Sequence, residues 1–222
     1  MDEIVVKILD IKQLTHDVMA FRLQKPTGYT FVPGQATEVS VNLPGLRDQK
    51  RPFTFTSLNS DPFLEFTIKI YNSHNGVTKE IGRLKPGDEL IIRDVWGAIS
   101  YKGKGVFIAG GAGITPFLSI FRDLLSKHET DGNMLIFANR TRSDIILEKE
   151  LGSLQGLQVL HILSDEKVSG YHYGLITKEF LESNVTDLNT RFYVCGPPPM
   201  MDSVLKILGD LGVGQNSLTV EI

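Results

Sequence analysis

Val106-Phe-Ile-Ala-Gly-Gly-Ala-Gly-Ile-Thr-Pro-Phe117 reads as a buried strand that runs through a glycine turn into a helix. Val106 to Ala109 form a short apolar run of the kind found inside a sheet. Gly110, Gly111 and Gly113 remove side chains where a backbone must bend sharply or touch a ligand. Thr115 is a candidate helix cap, and Pro116 suits a first helical position, where its missing N–H costs nothing. A helix start of this kind aims bare N–H groups at open space and suits a phosphate.

Working outward, the chain changes period on either side of this stretch. Before about residue 100 the pattern is short and β-like. Strands are predicted over 3–11, 18–23, 36–43, 51–57, 63–70 and 89–94, punctuated by Pro26, Gly28, Pro33, Gly34, Pro44, Gly45 and Pro62. One short helix fits between Gly76 and Leu84, with Pro86 and Gly87 after it. Many short strands with little helix predict a closed antiparallel barrel. After about residue 104, strand and helix alternate. Strands are predicted over 105–109, 134–138, 157–163, 191–195 and 218–222. Phe117, Phe121, Leu124 and Leu125 stripe one helix; Met201, Val204, Leu205, Leu208 and Leu211 stripe another. That alternation predicts a mostly parallel, doubly wound sheet with helices on both faces. The junction Tyr101-Lys-Gly-Lys-Gly105 is short, so two packed domains are expected.

Composition narrows the function. The chain has 222 residues, 41% hydrophobic and 22% charged, which fits a soluble globular protein. A net charge of −3 gives no argument for nucleic acid, and no apolar run approaches a membrane span. The start, MDEIVVKILDIKQL, is acidic and alternates like a strand, unlike a signal peptide. The single cysteine, Cys195, leaves no internal disulfide and no four-cysteine iron–sulfur site, so a reducing cytoplasm is the expected location. His16, His74, His128, His161 and His172 show no metal-ligand spacing, and no metal is expected. His172, between Tyr171 and Tyr173, reads as an ordinary loop, with the wall of a nucleotide crevice as the alternative.

Two further segments carry chemistry. In Arg51-Pro-Phe-Thr-Phe-Thr-Ser57, an arginine offers forked donors to a diphosphate, an aromatic ring offers a stacking face, and a hydroxyl follows. By itself this segment reads as an ordinary barrel strand with an exposed arginine. In Tyr193-Val-Cys-Gly-Pro-Pro-Pro-Met200 a strand ends at Cys195, and Gly196 permits a sharp exit. Ligands of parallel sheets lie beyond the carboxyl ends of strands, so Cys195 and Gly113 should face one crevice. A buried structural thiol is the alternative for Cys195.

With these segments in order, the chain resembles the ferredoxin–NADP reductase superfamily over essentially its full length. Arg51-Pro-Phe-Thr54 resembles the family's Arg-x-Tyr-Ser flavin motif, and Phe31-Val-Pro-Gly-Gln35 the turn before it. Gly76-Val-Thr78 resembles the loop that holds the flavin pyrophosphate, GGAGITP the nicotinamide nucleotide loop, and CGPPPM the loop beside the nicotinamide.

The resemblance implies an FAD-binding β-barrel domain over 1–101 and an NAD(P)H-binding α/β domain over 102–222. Hydride would pass from the nicotinamide to FAD, and single electrons onward to ferredoxin, flavodoxin or an oxygenase component. By position, Arg51 and Pro52 meet the flavin diphosphate, Phe53 stacks on the flavin and Thr54 bonds its reactive ring nitrogen. Gly76, Val77 and Thr78 form the second diphosphate loop. Gly110, Gly111, Gly113 and Thr115 cradle the dinucleotide, while Cys195, Gly196 and Pro197 flank the nicotinamide. Thr54, Cys195 and Glu221 are the expected catalytic residues.

The departures are specific. Phe53 and Thr54 replace the family's tyrosine and serine. Lys79 stands at another serine position, so either Thr78 supplies a hydroxyl or Lys79 meets the phosphate. The ending Val220-Glu221-Ile222 lacks the aromatic lid of plant-type members. Trp96 is read as a core residue, with cofactor contact as the alternative. Arg140 and Arg142 follow the second strand and favour the ribose phosphate of NADPH, while Asp144 leaves NADH open. Residues 1–104 carry 14 basic against 12 acidic side chains and residues 105–222 carry 9 against 14. The excess in the first part includes Arg47, Lys50, Lys79, Arg83 and Lys85, and would steer an acidic carrier. A monomer is expected. The competing readings are a flavin subunit of a larger oxygenase or dehydrogenase complex, and a nucleotide-binding module without redox chemistry.

Overall fold

The computed structural model describes residues 3–73 and 76–220. Alternating sequences in the first part form β1 (Ile4–Gln13), β2 (Val18–Gln24), β3 (Ala36–Val41), β4 (Arg51–Thr54) and β5 (Phe63–Lys69). Helix α1 (Val77–Ile81), β6 (Glu89–Ile92) and β7 (Val95–Trp96) follow. All strand pairs in this part are antiparallel, in the order β4-β3-β6-β1-β2-β5, with β7 on β3. A bridge between Phe55 and Phe66 joins β5 back to the end of β4 and closes the barrel. Its core is aromatic: the Phe31 and Phe55 rings stack at 4.2 Å, and Phe66 lies 5.0 Å from Phe55.

β5 departs from the half-exposed alternation of a barrel strand, because both of its faces are buried from Leu64 to Ile68. One face fills the barrel; the other, with Glu65 and Thr67, lies under the second half of the molecule. Trp96, read from sequence as a core residue, is 44% exposed. It sits in a two-residue strand at the barrel rim, opposite Ala36, where no second layer covers it.

The second half contains β8 (Gly105–Gly110), α2 (Thr115–Ser126), β9 (Asn133–Asn139), α3 (Glu148–Ser153) and β10 (Leu157–Leu163). It continues with β11 (His172–Tyr173), α4 (Lys178–Asn184), β12 (Arg191–Cys195), α5 (Pro198–Asp210) and β13 (Leu218–Val220). The strands are all parallel in the order β11-β10-β9-β8-β12-β13. β8 is central and wholly buried. One face packs Phe107, Phe117, Phe121 and Tyr193 beneath α2, and the other packs Ile108, Ile136, Val204 and Leu208 beneath α5. The chain leaves β8 toward β9 and later returns to its other side as β12. The strand order therefore reverses at the carboxyl ends of β8 and β12, where crevices form in such sheets.

The halves are joined by buried contacts as well as by chain. The N–H of Gly34, in the turn before β3, donates to the Ser119 hydroxyl of α2 at 2.9 Å. Gly34 has φ +100°, and a side chain there would meet the Ile99 carbonyl oxygen at 2.6 Å, so the turn requires glycine. At the junction, the Tyr193 hydroxyl accepts from Lys102 N at 2.9 Å and donates to Gly103 O at 2.7 Å. No helix among the described residues is long and apolar enough to cross a membrane.

Candidate active site: two cavities that meet at a glycine turn

The glycine turn is built differently from the helix start read in the sequence. Gly110 is the last residue of β8, and Gly111–Ile114 form a 3₁₀ turn that runs directly into α2. Thr115 is itself the first residue of α2, and no side chain caps that helix, which corrects the expectation that Thr115 is the cap. The physical reason is continuity: the tighter turn already supplies helical backbone, leaving no extended residue from which a cap could reach back. The first N–H groups of the turn still lack intrahelical partners.

Two cavities open on this turn. The first, about 350 Å³, lies against the barrel and is lined by Phe53, Thr54, Thr78, Gly113, Thr115 and Cys195, among others. The second, about 390 Å³, runs along the carboxyl ends of the parallel strands, past Asn139, Arg140, Ser164, Leu175 and Met200. Lys69, Gly110, Gly111, Ala112 and Pro197 line both. The cavities are therefore two arms of one site, with Gly111 at the elbow. Gly111 has φ +51°, and nothing stands within 4 Å of where its Cβ would be. Its bare face is open to a ligand.

Most residues singled out from the sequence are brought together here. Pro52, Phe53, Thr54, Thr78, Gly110, Gly111, Gly113, Thr115, Cys195, Gly196 and Pro197 all line the barrel-side cavity. Cys195 is 2% exposed at the end of β12 and forms no disulfide. Thr54 is 6% exposed, and no hydrogen bond to its hydroxyl is found among the described residues. Arg51 is exposed just outside the cavity; Nη1 donates to its neighbour's carbonyl, Lys50 O, at 2.7 Å, and no carboxylate pairs with it among the described residues. Gly76 caps α1 outside the lining, and Val77 is buried in the barrel core at 1% exposure. Of the two candidates in that loop, the structure brings Thr78 to the cavity. Glu221 lies outside the described residues.

The two arginines after β9 are not brought together. Arg140 lines the strand-end crevice and pairs with Asp165 Oδ2 at 2.8 Å. The Ser164 hydroxyl and the Arg140 guanidinium hold the Asp165 carboxyl below its usual range. Arg142 lines a separate cleft with Glu148, His161 and Tyr171, pairing with Glu148 at 3.1 Å and lying 5.4 Å from the centre of the Tyr171 ring. The reason is a reciprocal capping box between Thr141 and Asp144, which turns the chain through a short 3₁₀ segment and aims Arg142 away. His172 and Tyr173 form an exposed edge strand, while the next residues, Gly174 and Leu175, reach the crevice.

Lys69 was not singled out in the sequence. It ends β5, pairs with Asp17 at 2.9 Å, and stands where the two cavities join. Its signal was a lysine set between Ile68 and Ile70 at the end of a strand. Thr67, Ile68 and Tyr71 belong to the same missed wall.

The comparisons with known proteins agree with this geometry. Residues 5–101 match the model of an oxidoreductase FAD-binding domain and residues 107–206 that of an oxidoreductase NAD-binding domain. The chain belongs to the ferredoxin–NADP reductase superfamily. It is 29% identical over 231 residues to the reductase component of propane 2-monooxygenase from Rhodococcus jostii, covering 96% of this chain and 61% of that protein. It is 27% identical to NADH-cytochrome b5 reductase 1 of Coccidioides immitis, covering 94% of this chain and 75% of that one. Its fold matches the crystal structure of a ferredoxin NADP+ reductase from Neisseria gonorrhoeae with bound FAD and NADP, with a TM-score of 0.87, 20% identity, and coverage of 100% and 98%. The matched domains bind FAD and a nicotinamide cofactor, and the donor set fits both: among the described residues, a guanidinium without a carboxylate partner, hydroxyls without a side-chain hydrogen bond, and a bare glycine elbow.

Proposed function

We propose that the chain takes hydride from NADH in the strand-end crevice onto FAD in the barrel-side cavity, and passes the electrons to a one-electron carrier protein. The observation that carries this reading is the sharing of Lys69, Gly110, Gly111, Ala112 and Pro197 by the two cavities. A dinucleotide along the strand ends would turn at Gly111 and bring its nicotinamide end against the barrel-side ligand. FAD, when bound, supplies the conversion between two-electron and one-electron transfer. The division falls near residue 101, with FAD held by 1–101 and the nucleotide by 102–222.

In this reading the protein's contribution is binding and orientation. Arg51, with no carboxylate of its own, meets the flavin diphosphate, and Thr78 adds a hydroxyl. Phe53 packs on the ring system, and the Thr54 hydroxyl donates to the reactive ring nitrogen. Gly111, Gly113 and Thr115 keep the dinucleotide close to the backbone. Cys195 and Pro197 wall the nicotinamide, and Lys69 supplies a cation at the elbow.

NADH is favoured over NADPH by the ion pair at the crevice. Arg140, the one arginine of the pair that reaches it, is already neutralised by Asp165. A ribose phosphate would be set against the Asp165 carboxylate, whereas bare hydroxyls can donate to it. The relative from Coccidioides immitis also carries NADH in its name.

The chain spans 61% of the propane monooxygenase reductase component, so the acceptor is read from chemistry alone. The basic excess of residues 1–104 suits an acidic carrier or oxygenase component. The test is stopped-flow reduction of the FAD-loaded protein by NADH and NADPH, followed by turnover with a panel of ferredoxins, flavodoxins and cytochromes. Failure to retain FAD, or flavin that neither nucleotide reduces, would overturn the proposal.

A further inference from the structure

One guanidinium joins the two halves of the molecule behind the site. Arg122 lies two turns into α2, 23% exposed. Nε and Nη2 hold the Glu150 carboxylate of α3 in a fork, at 2.6 and 3.0 Å. Nη1 crosses to the barrel, donating to Thr56 O at 2.6 Å and to Glu65 Oε1 at 2.8 Å. Glu65, 8% exposed, also accepts from the Thr56 hydroxyl at 3.0 Å and from Arg22 Nε at 3.3 Å.

The partners tie this contact to the site. Thr56 follows Thr54 by two residues, and Glu65 precedes Thr67 by two; Thr54 and Thr67 both line the barrel-side cavity. The Thr56 and Thr67 hydroxyls are 3.4 Å apart. At its other end, α2 grows out of the Gly111–Ile114 turn that forms the elbow. A single side chain thus fixes the helix that carries the elbow to β5 and to the segment that follows β4, both of which floor the flavin side. Buried ion pairs contribute little net stability compared with well-packed apolar groups, but their directional bonds fix geometry.

We propose that Arg122 is a positioning residue, setting how the nucleotide-binding half sits over the barrel and hence the separation of nicotinamide and flavin. The inference rests on the functional reading of the two cavities given above. A cleft of about 210 Å³ lined by Asp10, Lys12, Arg22, Glu65, Arg122 and Glu150 borders the contact, so water can enter when the side chain is shortened.

The test uses the FAD-loaded protein with Arg122→Ala, Arg122→Lys and Glu65→Gln. FAD affinity should stay within about twofold. Hydride transfer at saturating NADH should fall at least about tenfold in Arg122→Ala, since a misplacement of about 1 Å can cost a hundredfold. The long-wavelength absorbance of nicotinamide stacked on flavin should weaken in parallel, and Arg122→Lys should restore part of both. Should Arg122→Ala fail to fold, Glu65→Gln, which weakens the bond that crosses between the halves, should show the same two losses in milder form. Unchanged hydride transfer and absorbance, with only a lower melting temperature, would overturn the proposal. Wild-type flavin that NADH does not reduce would instead overturn the functional reading, and this proposal with it.

Discussion

A Cβ on Gly113 would stand 2.5 Å from the carbonyl carbon of Cys195 and 2.6 Å from the nitrogen of Gly196. The turn after β8 and the exit from β12 are thus in backbone contact, and that contact closes the inner end of the site. Gly113→Ala is expected to force the two loops apart at a cost of about 1–3 kcal/mol, typical of overpacking. Gly111→Ala has open space and pays only for its left-handed backbone, about 1–2 kcal/mol. Thermal unfolding separates the variants from wild type, and NADH titration should show weakened binding in both. Gly113→Ala with wild-type stability and affinity would contradict the packing described.

Arg51 is expected to act on the cofactor and not on the fold. Within the described residues its side chain makes one hydrogen bond, to Lys50 O, so Arg51→Ala should leave the melting temperature of the apoprotein unchanged. FAD binding should weaken by about 1.5–3 kcal/mol, the usual loss for a hydrogen bond to a charged group. Fluorescence titration with FAD measures it; undiminished affinity would remove Arg51 from the diphosphate site.

Nucleotide choice should turn on Asp165. Removing its carboxylate in Asp165→Ala frees the Arg140 guanidinium for a ribose phosphate. Wild type is expected to prefer NADH, and the variant to gain NADPH affinity by about 1.5–3 kcal/mol while losing some for NADH. Arg142→Ala, in its separate cleft, should leave the preference alone. The comparison is kcat/KM for both nucleotides. A wild-type preference for NADPH would refute the argument.

The contact behind the site should respond to acid. Burial alone would raise the Glu65 pKa, but Arg122, with Thr56 and Arg22, outweighs it and holds the carboxyl below its usual range. A carboxyl lowered in the folded state stabilises the fold at pH above its unfolded value, about 4.3. That stabilisation is lost as pH falls through the lower folded value, because protonation removes the acceptor from Arg122. Urea unfolding between roughly pH 3 and 7 should therefore show a steeper acid decline in wild type than in Glu65→Gln. Identical pH profiles would exclude Glu65 as a source of acid sensitivity.

The sequence by itself determined the two sheets, their order and the elbow. Those features are written locally: alternation marks each barrel strand, apolar runs mark the parallel ones, and β10 and β12 occupy the residues that the pattern predicts. Glycines fix the close approaches, because Gly34 and Gly113 each face a backbone that leaves no room for a side chain. Tertiary structure decided the direction of individual charged side chains and what covers each face. Arg140 and Arg142 are two residues apart, yet a capping box sends one into the crevice and the other behind it. The partner that neutralises Arg140 is 25 residues away, and no local pattern encodes that distance. Trp96 lies at an uncovered rim, whereas Glu65 and Thr67 are buried because α2 and the elbow settle over them. Backbone conformation is set by neighbours in the chain; charge pairing and burial are set by neighbours in space, and Arg122 meets Glu65 only once both halves have folded.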